Sequence, residues 1–183
     1  MLKRILMLAV LSIMLANPVS ARDLSSAEKK ALADLVARFE AAYVDRNYQV
    51  LGAAVPPRVL KRYMAARGKP DLKRDLWISL FVSDSKEIDR QLGNVTEAFT
   101  LAFPKARFAE TPDGTPYAVV PSTSTVKLKS GDRFKVSSPY LALLDEGAWY
   151  LINVGFGGLM GSVKGLYPAF DQVEFDHAKQ VKQ

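Results

Sequence analysis

"YLALLDEGAWYLINV", residues 140–154, decides the fold. Two apolar runs flank Asp145-Glu146-Gly147, a turn signal between segments rich in β-branched and aromatic residues. Neither run alternates apolar with polar, so neither offers a wet face. The pattern predicts two central paired strands, joined by a tight hairpin and buried on both sides.

Upstream lie more strand-like segments: "VTEAFTLAF", "KARFAE", "YAVVPSTSTVKLK" and the start of "RFKVSSPYLALLD". Pro104, "TPDGTP" and "SGD" separate them. Val126 and Leu128 alternate with Lys127 and Lys129, so that strand has one solvated face.

The chain before Asn94 follows a different grammar. Ser25 and Glu28 form an S-x-x-E capping box, and Leu32, Leu35, Val36, Phe39 and Tyr43 follow at helical spacing. This predicts an amphipathic helix ending near Asn47. "YQVLGAAVPP" reads as a turn or partial helix. Pro56 and Pro57 pre-set the next helix, which Gly68 stops. Asp71 is expected to cap "LKRDLWISLFV", and Asp84 with Glu87 to form a second box before "SKEIDRQL". The two segments are either one kinked helix or two. Helices first and an antiparallel meander afterwards is the α+β pattern.

Downstream, "GFGGLMG" (155–161) begins like a G-x-G-x-x-G phosphate loop but has Met160 in the sixth place. A dinucleotide site needs a following βαβ unit of about 30 residues and an acidic residue about 20 positions on. Too little chain remains for that, and it contains Pro168. The expectation is a wide bulge or loop after the last strand, where glycine permits close backbone approach.

Residues 1–21 read as a cleaved secretory signal. Lys3 and Arg4 precede an apolar run from Ile5 to Ala16, and Val19-Ser20-Ala21 supplies small residues for cleavage. The run is shorter than the about 20 residues that span a bilayer, so no stable membrane anchor is expected. The mature chain, 22–183, then begins at Arg22 as one domain in the periplasm or secreted. The absence of cysteine excludes disulfides, catalytic thiols and thiolate metal sites. Losing Lys3 and Arg4 lowers the formal charge of +6 by two. Seven basic residues fall between Arg58 and Arg74, best read as solvated helix faces. No nucleic-acid motif accompanies them.

Several segments resemble nuclear transport factor 2-like domains. "FEAAYVDRNYQVL" is similar to their first helix; "YAVVP", "SSPYLALLDEGAWYLINVG" and "LYPAFDQVEF" are similar to the strand half of exported members. The resemblance covers roughly residues 25–176. It implies a cone, with N-terminal helices packed on a strongly curved antiparallel sheet around a pocket. The superfamily contains isomerases, dehydratases, binding modules and scaffolds, so it does not choose a function. Its enzymes often use an Asp base, an Asp-His pair or a Tyr-Asp donor pair, and no such residue carries over here.

The chemistry-bearing residues are few. His177, the only histidine, lies in a polar terminal segment and reads as solvent-exposed. Asp145 and Glu146 are explained by the turn, Asp84 and Glu87 by the cap. Asn153 shares a strand face with Trp149 and Leu151 and interrupts an apolar stripe; a buried amide there bonds to backbone or faces a ligand. Tyr43 and Tyr140 each join an apolar ring to a hydroxyl that needs a partner. Tyr43, Tyr140, Trp149 and Asn153 are therefore the candidate ligand-binding residues, with no catalytic residue, metal or cofactor assigned. The expected function is a non-catalytic module of the cell envelope that binds a small apolar or aromatic ligand or an envelope protein. The competing reading is an isomerase- or hydratase-type enzyme using acid-base chemistry in the pocket. Because helices can cover only one face of the sheet, a homodimer through the other is expected.

Overall fold

In the computed structural model, residues 24–155 and 157–183 are described. The expected leader, residues 1–21, lies outside them, as does the expected N-terminus Arg22. Among the described residues no helix is long and apolar enough to cross a membrane.

Helix α1 (Ser26–Val44) begins with the expected reciprocal box: Ser25 accepts from the Glu28 N–H, and Glu28 accepts from the Ser25 N–H. Its buried stripe is Leu32, Val36, Phe39 and Ala42. Helix α2 (Tyr48–Ala53) is the partial helix, capped by Asn47. Helix α3 (Pro57–Ala66) carries proline in its first turn. Helix α4 (Arg74–Leu92) is one continuous helix ending at left-handed Gly93.

Two expected caps fail on α4. Lys73, not Asp71, occupies the N-cap position, without a side-chain bond. Asp84 and Glu87 lie inside the helix. There Asp84 pairs with Arg67 at 2.9 Å and Glu87 with Arg90 at 2.6 Å. A D-x-x-E spacing also suits exposed carboxylates on a helix surface, where partners on α3 or one turn along compete for them.

The strands are β1 (Val95–Leu101), β2 (Arg107–Glu110), β3 (Pro116–Lys127), β4 (Arg133–Asp145), β5 (Ala148–Asn153) and β6 (Lys179–Lys182). The main path is β1-β3-β4-β5; β2 also pairs with β3, and β6 with β4. All pairings are antiparallel. Helices pack on this strongly curled sheet, so the fold is α+β. The hairpin forms where expected: Asp145 pairs with Ala148, and Glu146 and Gly147 both have positive φ. Strand β4 is central, but β5 ends the path and is not central as expected. Its free edge is partly sealed because the Leu151 N–H donates to Ala54 O at 2.9 Å. The Arg74 guanidinium holds that connector through Ala53 O and Val55 O.

Burial on both strand faces is confirmed, and its cause overturns the argument for a homodimer. Ala118, Val120, Tyr140, Ala142, Trp149 and Leu151 face α1 and form an inner core. The alternate residues Tyr117, Val119, Leu141, Leu143, Ile152 and Val154 form an outer core. The chain's own C-terminal segment covers the latter through Val163, Tyr167 and Phe170. Among the described residues, the outer apolar face that the homodimer argument took to be bare is covered within the chain itself.

That segment also corrects the reading of the glycines. Instead of a bulge or loop, helix α5 (Gly157–Leu166) follows β5. Burial of Val163 against the sheet offsets the poor helix propensity of glycine, a tertiary gain that local composition does not report. The close approach expected of glycine does occur, at Gly155: a Cβ there would collide with Ser138 Oγ and stand 3.0 Å from Pro139 Cδ. After a 3-10 turn (Pro168–Phe170), the tail runs back and adds β6 to β4. Nothing in its polar sequence announces a strand.

Candidate functional site

Where β5 closes the sheet, the helices meet the strands incompletely and leave a cavity of about 310 Å³. Phe39 and Tyr43 reach it from α1, and Leu51 from α2. Val55 and residues of α3, including Tyr63, form a second wall. Trp77 and Phe81 of α4 form the third, stacked on each other with centroids 5.5 Å apart. The floor is Tyr140 of β4 and Leu151 to Asn153 of β5.

Gly52 permits this geometry. A Cβ at that position would stand 2.9 Å from Phe81 Cδ1 and 3.3 Å from Ile78 Cγ2. Its absence lets α4 lie close to α2 and bring Phe81 to the cavity.

Three of the four candidate ligand-binding residues line this space: Tyr43, Tyr140 and Asn153. Trp149 does not. It lies four positions before Asn153 along β5, about 13 Å at the usual strand rise. It lies in the inner core near the hairpin, with its indole N–H buried and unpartnered. Period-2 spacing correctly puts both residues on one face, but a shared face is wider than one pocket.

Hydrogen bonds hold the Asn153 side chain at the end of β5. Asn153 Oδ1 accepts from Gly155 N–H at 3.0 Å and from Ser138 Oγ at 2.6 Å. The Tyr140 hydroxyl lies near the side chains of Asn153 and Tyr43 at the cavity floor. Burial raises the Tyr140 phenol well above its ordinary range, and burial likewise raises that of Tyr43. Both hydroxyls stay protonated at neutral pH. Tyr43 also stacks on Phe99, with centroids 3.9 Å apart, which fixes its ring.

Asp89, on α4, is the carboxylate whose charge acts on Tyr43. The Tyr48 hydroxyl donates to it, and Arg46 lies 3.3 Å away. The Tyr48 phenol is pushed up to about 12 by burial and by Asp89. Asp89 does not line the cavity. Among the described lining residues there is no Asp, Glu, Lys, Arg or His. No group of three or more His, Cys, Asp or Glu among the described residues is placed to hold a metal ion.

Three of the seven basic residues from Arg58 to Arg74 have structural tasks. Arg58 pairs with Asp145 at 3.3 Å, Arg67 covers the Tyr63 ring, and Arg74 bonds backbone carbonyls. Asp145 is more than a turn residue: it is buried and accepts from the Tyr167 hydroxyl at 2.8 Å. This joint ties the hairpin to α3 and the C-terminal segment. His177 is exposed, as expected.

Sequence reasoning missed the α3–α4 wall. Trp77 and Phe81 are four residues apart in "WISLF", a spacing that predicts a shared helix face. That spacing alone does not show whether the pair fills a core or faces a void. In comparison with known proteins, the chain matches no family model, no curated protein and no solved structure.

Proposed function

We propose that this chain is a non-catalytic domain of nuclear transport factor 2-like type that binds a small apolar or aromatic molecule in the cell envelope. One observation carries the reading. The cavity has aromatic and aliphatic walls, and its few convergent polar groups are hydroxyls and an amide. An acid-base enzyme requires a titratable group beside the ligand. Tyr140, with its raised phenol, and Asn153, which does not titrate, are poor general bases near neutral pH.

Helices packed on a curled antiparallel sheet around a cavity support the fold-level part of the proposal. One departure stands out: the outer sheet face, through which relatives of that type often dimerise, is occupied here by α5 and the following turn. The envelope location rests on the leader-like residues 1–21 and the absence of cysteine. Mass spectrometry of protein recovered from a bacterial periplasm should find an N-terminus at Arg22. An intact Met1 form in the inner membrane would overturn that location.

The binding reading is tested by a thermal-shift screen against neutral aromatic compounds, lipids and cell-wall fragments. Apolar aromatics should raise Tm, and Val55→Phe should abolish the shift by filling the cavity. Added bulk enters existing space, so the unfolding free energy should change by less than about 1 kcal/mol. Turnover of a screened compound that is lost on Asp89→Asn would replace this reading with an enzyme. A stoichiometric envelope protein in a pull-down, with no small ligand, would preserve the module and discard the cavity.

A further inference from the structure

Past the outer core, the two long strands change partners at one level. Strand β3 pairs with β2 up to Val119 and with β1 from Ser122; β4 pairs with β6 up to Ser137 and with β5 from Tyr140. Pro121 and Pro139 stand opposite each other in the two gaps. Pro121 O accepts from Ala102 N–H at 2.7 Å, and Pro139 O from Val154 N–H at 3.0 Å. An antiparallel residue presents its N–H and C=O to the same side, and proline has no N–H, so each flanking ladder breaks there. A cleft of about 300 Å³ opens at this level, with Val119, Pro121 and Pro139 as its apolar floor. Charge gathers on its rim: Lys105 and Arg107 from the β1–β2 connection and β2, His177 and Lys179 from the tail. Among the described residues, the side chains of Lys105, His177 and Lys179 have no ion-pair partner. Arg107 reaches only Asp176, at 3.8 Å, and both of those side chains are exposed.

From this cleft and its cationic rim we infer that the outer side of the sheet binds a small phosphomonoester, with its phosphoryl group among Lys105, Arg107 and Lys179 and its ring on the proline floor. The site is separate from the inner cavity, and the two readings stand or fall independently. Three cations against the single lining carboxylate, Asp176, leave an excess of two positive charges. A phosphomonoester carries close to two negative charges at neutral pH and so matches that excess, whereas a carboxylate or a sulfate ester carries one. The flat Arg107 guanidinium suits paired phosphoryl oxygens, and the two lysines act as point charges. A further donor is at hand in Ser137, because the other lining serines are engaged: Ser122 Oγ donates to Ser138 O, and Ser138 Oγ to Asn153 Oδ1. The exposed Arg107–Asp176 pair is weak enough for an incoming dianion to displace. Pro121 is exposed on the floor, and a ring laid over it removes apolar surface from water.

The test titrates protein expressed from the full-length sequence with phenyl phosphate, phenyl sulfate and inorganic phosphate, by calorimetry at low salt. Phenyl phosphate should bind about tenfold tighter than either of the others, one of which lacks the second charge and the other the ring. Arg107→Gln and Lys179→Gln should each weaken it by about fivefold, the upper size of an exposed ion pair. Asp176→Asn should tighten it by a similar factor, a gain that a purely structural role does not produce. Two controls should leave it unchanged: Lys86→Gln, the same loss of charge at an exposed position of α4 outside the cleft, and Val55→Phe, in the inner cavity. Absence of saturable binding by phenyl phosphate would overturn the inference. An equal loss in Lys86→Gln would reduce it to general attraction by net charge, and a loss in Val55→Phe would move the ligand to the inner cavity. Equal affinity for phenyl sulfate would overturn the match to a dianion, and equal affinity for inorganic phosphate the role of the floor. Retention of the protein by phosphatidate vesicles, released by phenyl phosphate, would replace the soluble ester with a lipid headgroup.

Discussion

The two faces of the sheet use the same strands and reach different ends. On β4, Tyr140 and Ala142 point inward while Leu141 and Leu143 point outward. The outer face is covered by one short segment, and Phe170 and Val163 sit in it almost without exposure. Phe170 meets Tyr117 edge to face with centroids 5.1 Å apart. The inner face is covered by separate helices arriving from different directions. Phe39 of α1 meets Tyr140 on the floor, but Trp77 and Phe81 of α4 stack on each other, and a cavity of about 310 Å³ remains. Each side also joins a carboxylate to a tyrosine: Asp145 to Tyr167 on the outer side, Asp89 to Tyr48 on the inner. The outer joint is buried and the inner one half-exposed. Alternation along a strand thus produces two cores, and the number and angle of the covering elements decide whether a core closes.

The strongest way to break this comparison is Phe170→Ala. If the C-terminal segment forms a true core, the substitution should lower the unfolding free energy by about 3–5 kcal/mol in urea titrations. A loss below about 1 kcal/mol would mean that the outer face is only loosely covered, and would restore the case for a second copy.

Gly155→Ala should follow in size, because its effect crosses from one face to the other. The added methyl displaces Ser138 and disturbs the N–H that anchors Asn153. A cost of about 1–3 kcal/mol is expected, together with weaker binding by the cavity. Unchanged stability would show that the β4–β5 junction is not tightly packed.

The two joints should differ when each loses its hydroxyl. Tyr167→Phe leaves a buried Asp145 carboxylate short of a donor and should cost about 1–3 kcal/mol. Tyr48→Phe, at a half-exposed carboxylate also served by Arg46, should cost under about 1 kcal/mol. Equal losses would erase the distinction between a closed and an open side.

The smallest effect is in alkaline solution. Tyr48 ionises near 10 in an unfolded chain but is raised to about 12 in the fold. A phenol raised by folding contributes stability that is complete below the unfolded value and lost as pH rises through the folded one. Stability should therefore fall from about pH 10 to about 12, and Tyr48→Phe should flatten part of the decline in urea midpoints. Parallel profiles for the two proteins would remove Tyr48 from the cause.

Much of the fold was legible because its signals are short-range. The Ser25–Glu28 box, the proline start of α3 and the Asp145–Gly147 turn each act within a few residues, so the sequence that specifies them is contiguous. The false cap at Asp84 and Glu87 had the right spacing, but capping requires a helix end, and the preceding turns continued through it. Strand β6 was invisible because its polar residues pair through their backbones with Phe134 to Ser137, more than forty residues earlier. The candidate site was half-visible. Asn153 interrupts an apolar stripe, and Tyr43 and Tyr140 bring hydroxyls to buried positions. Trp149 obeyed the same face rule and still fell outside the cavity.

By itself the sequence determined the order of helices and strands as far as β5, the hairpin, the two-sided burial of β4 and the scarcity of titratable chemistry. Those follow from periodicity, turn residues and composition, all carried by neighbouring positions. Tertiary structure alone decided that Gly157–Leu166 is a helix, that it covers the outer face, and that α1, α3 and α4 stop short of filling the inner one. A cavity is a deficit in packing among groups distant in the chain. It depends on how helices of fixed length and side-chain volume approach the curled sheet, and on a glycine such as Gly52 that sets how closely two of them meet.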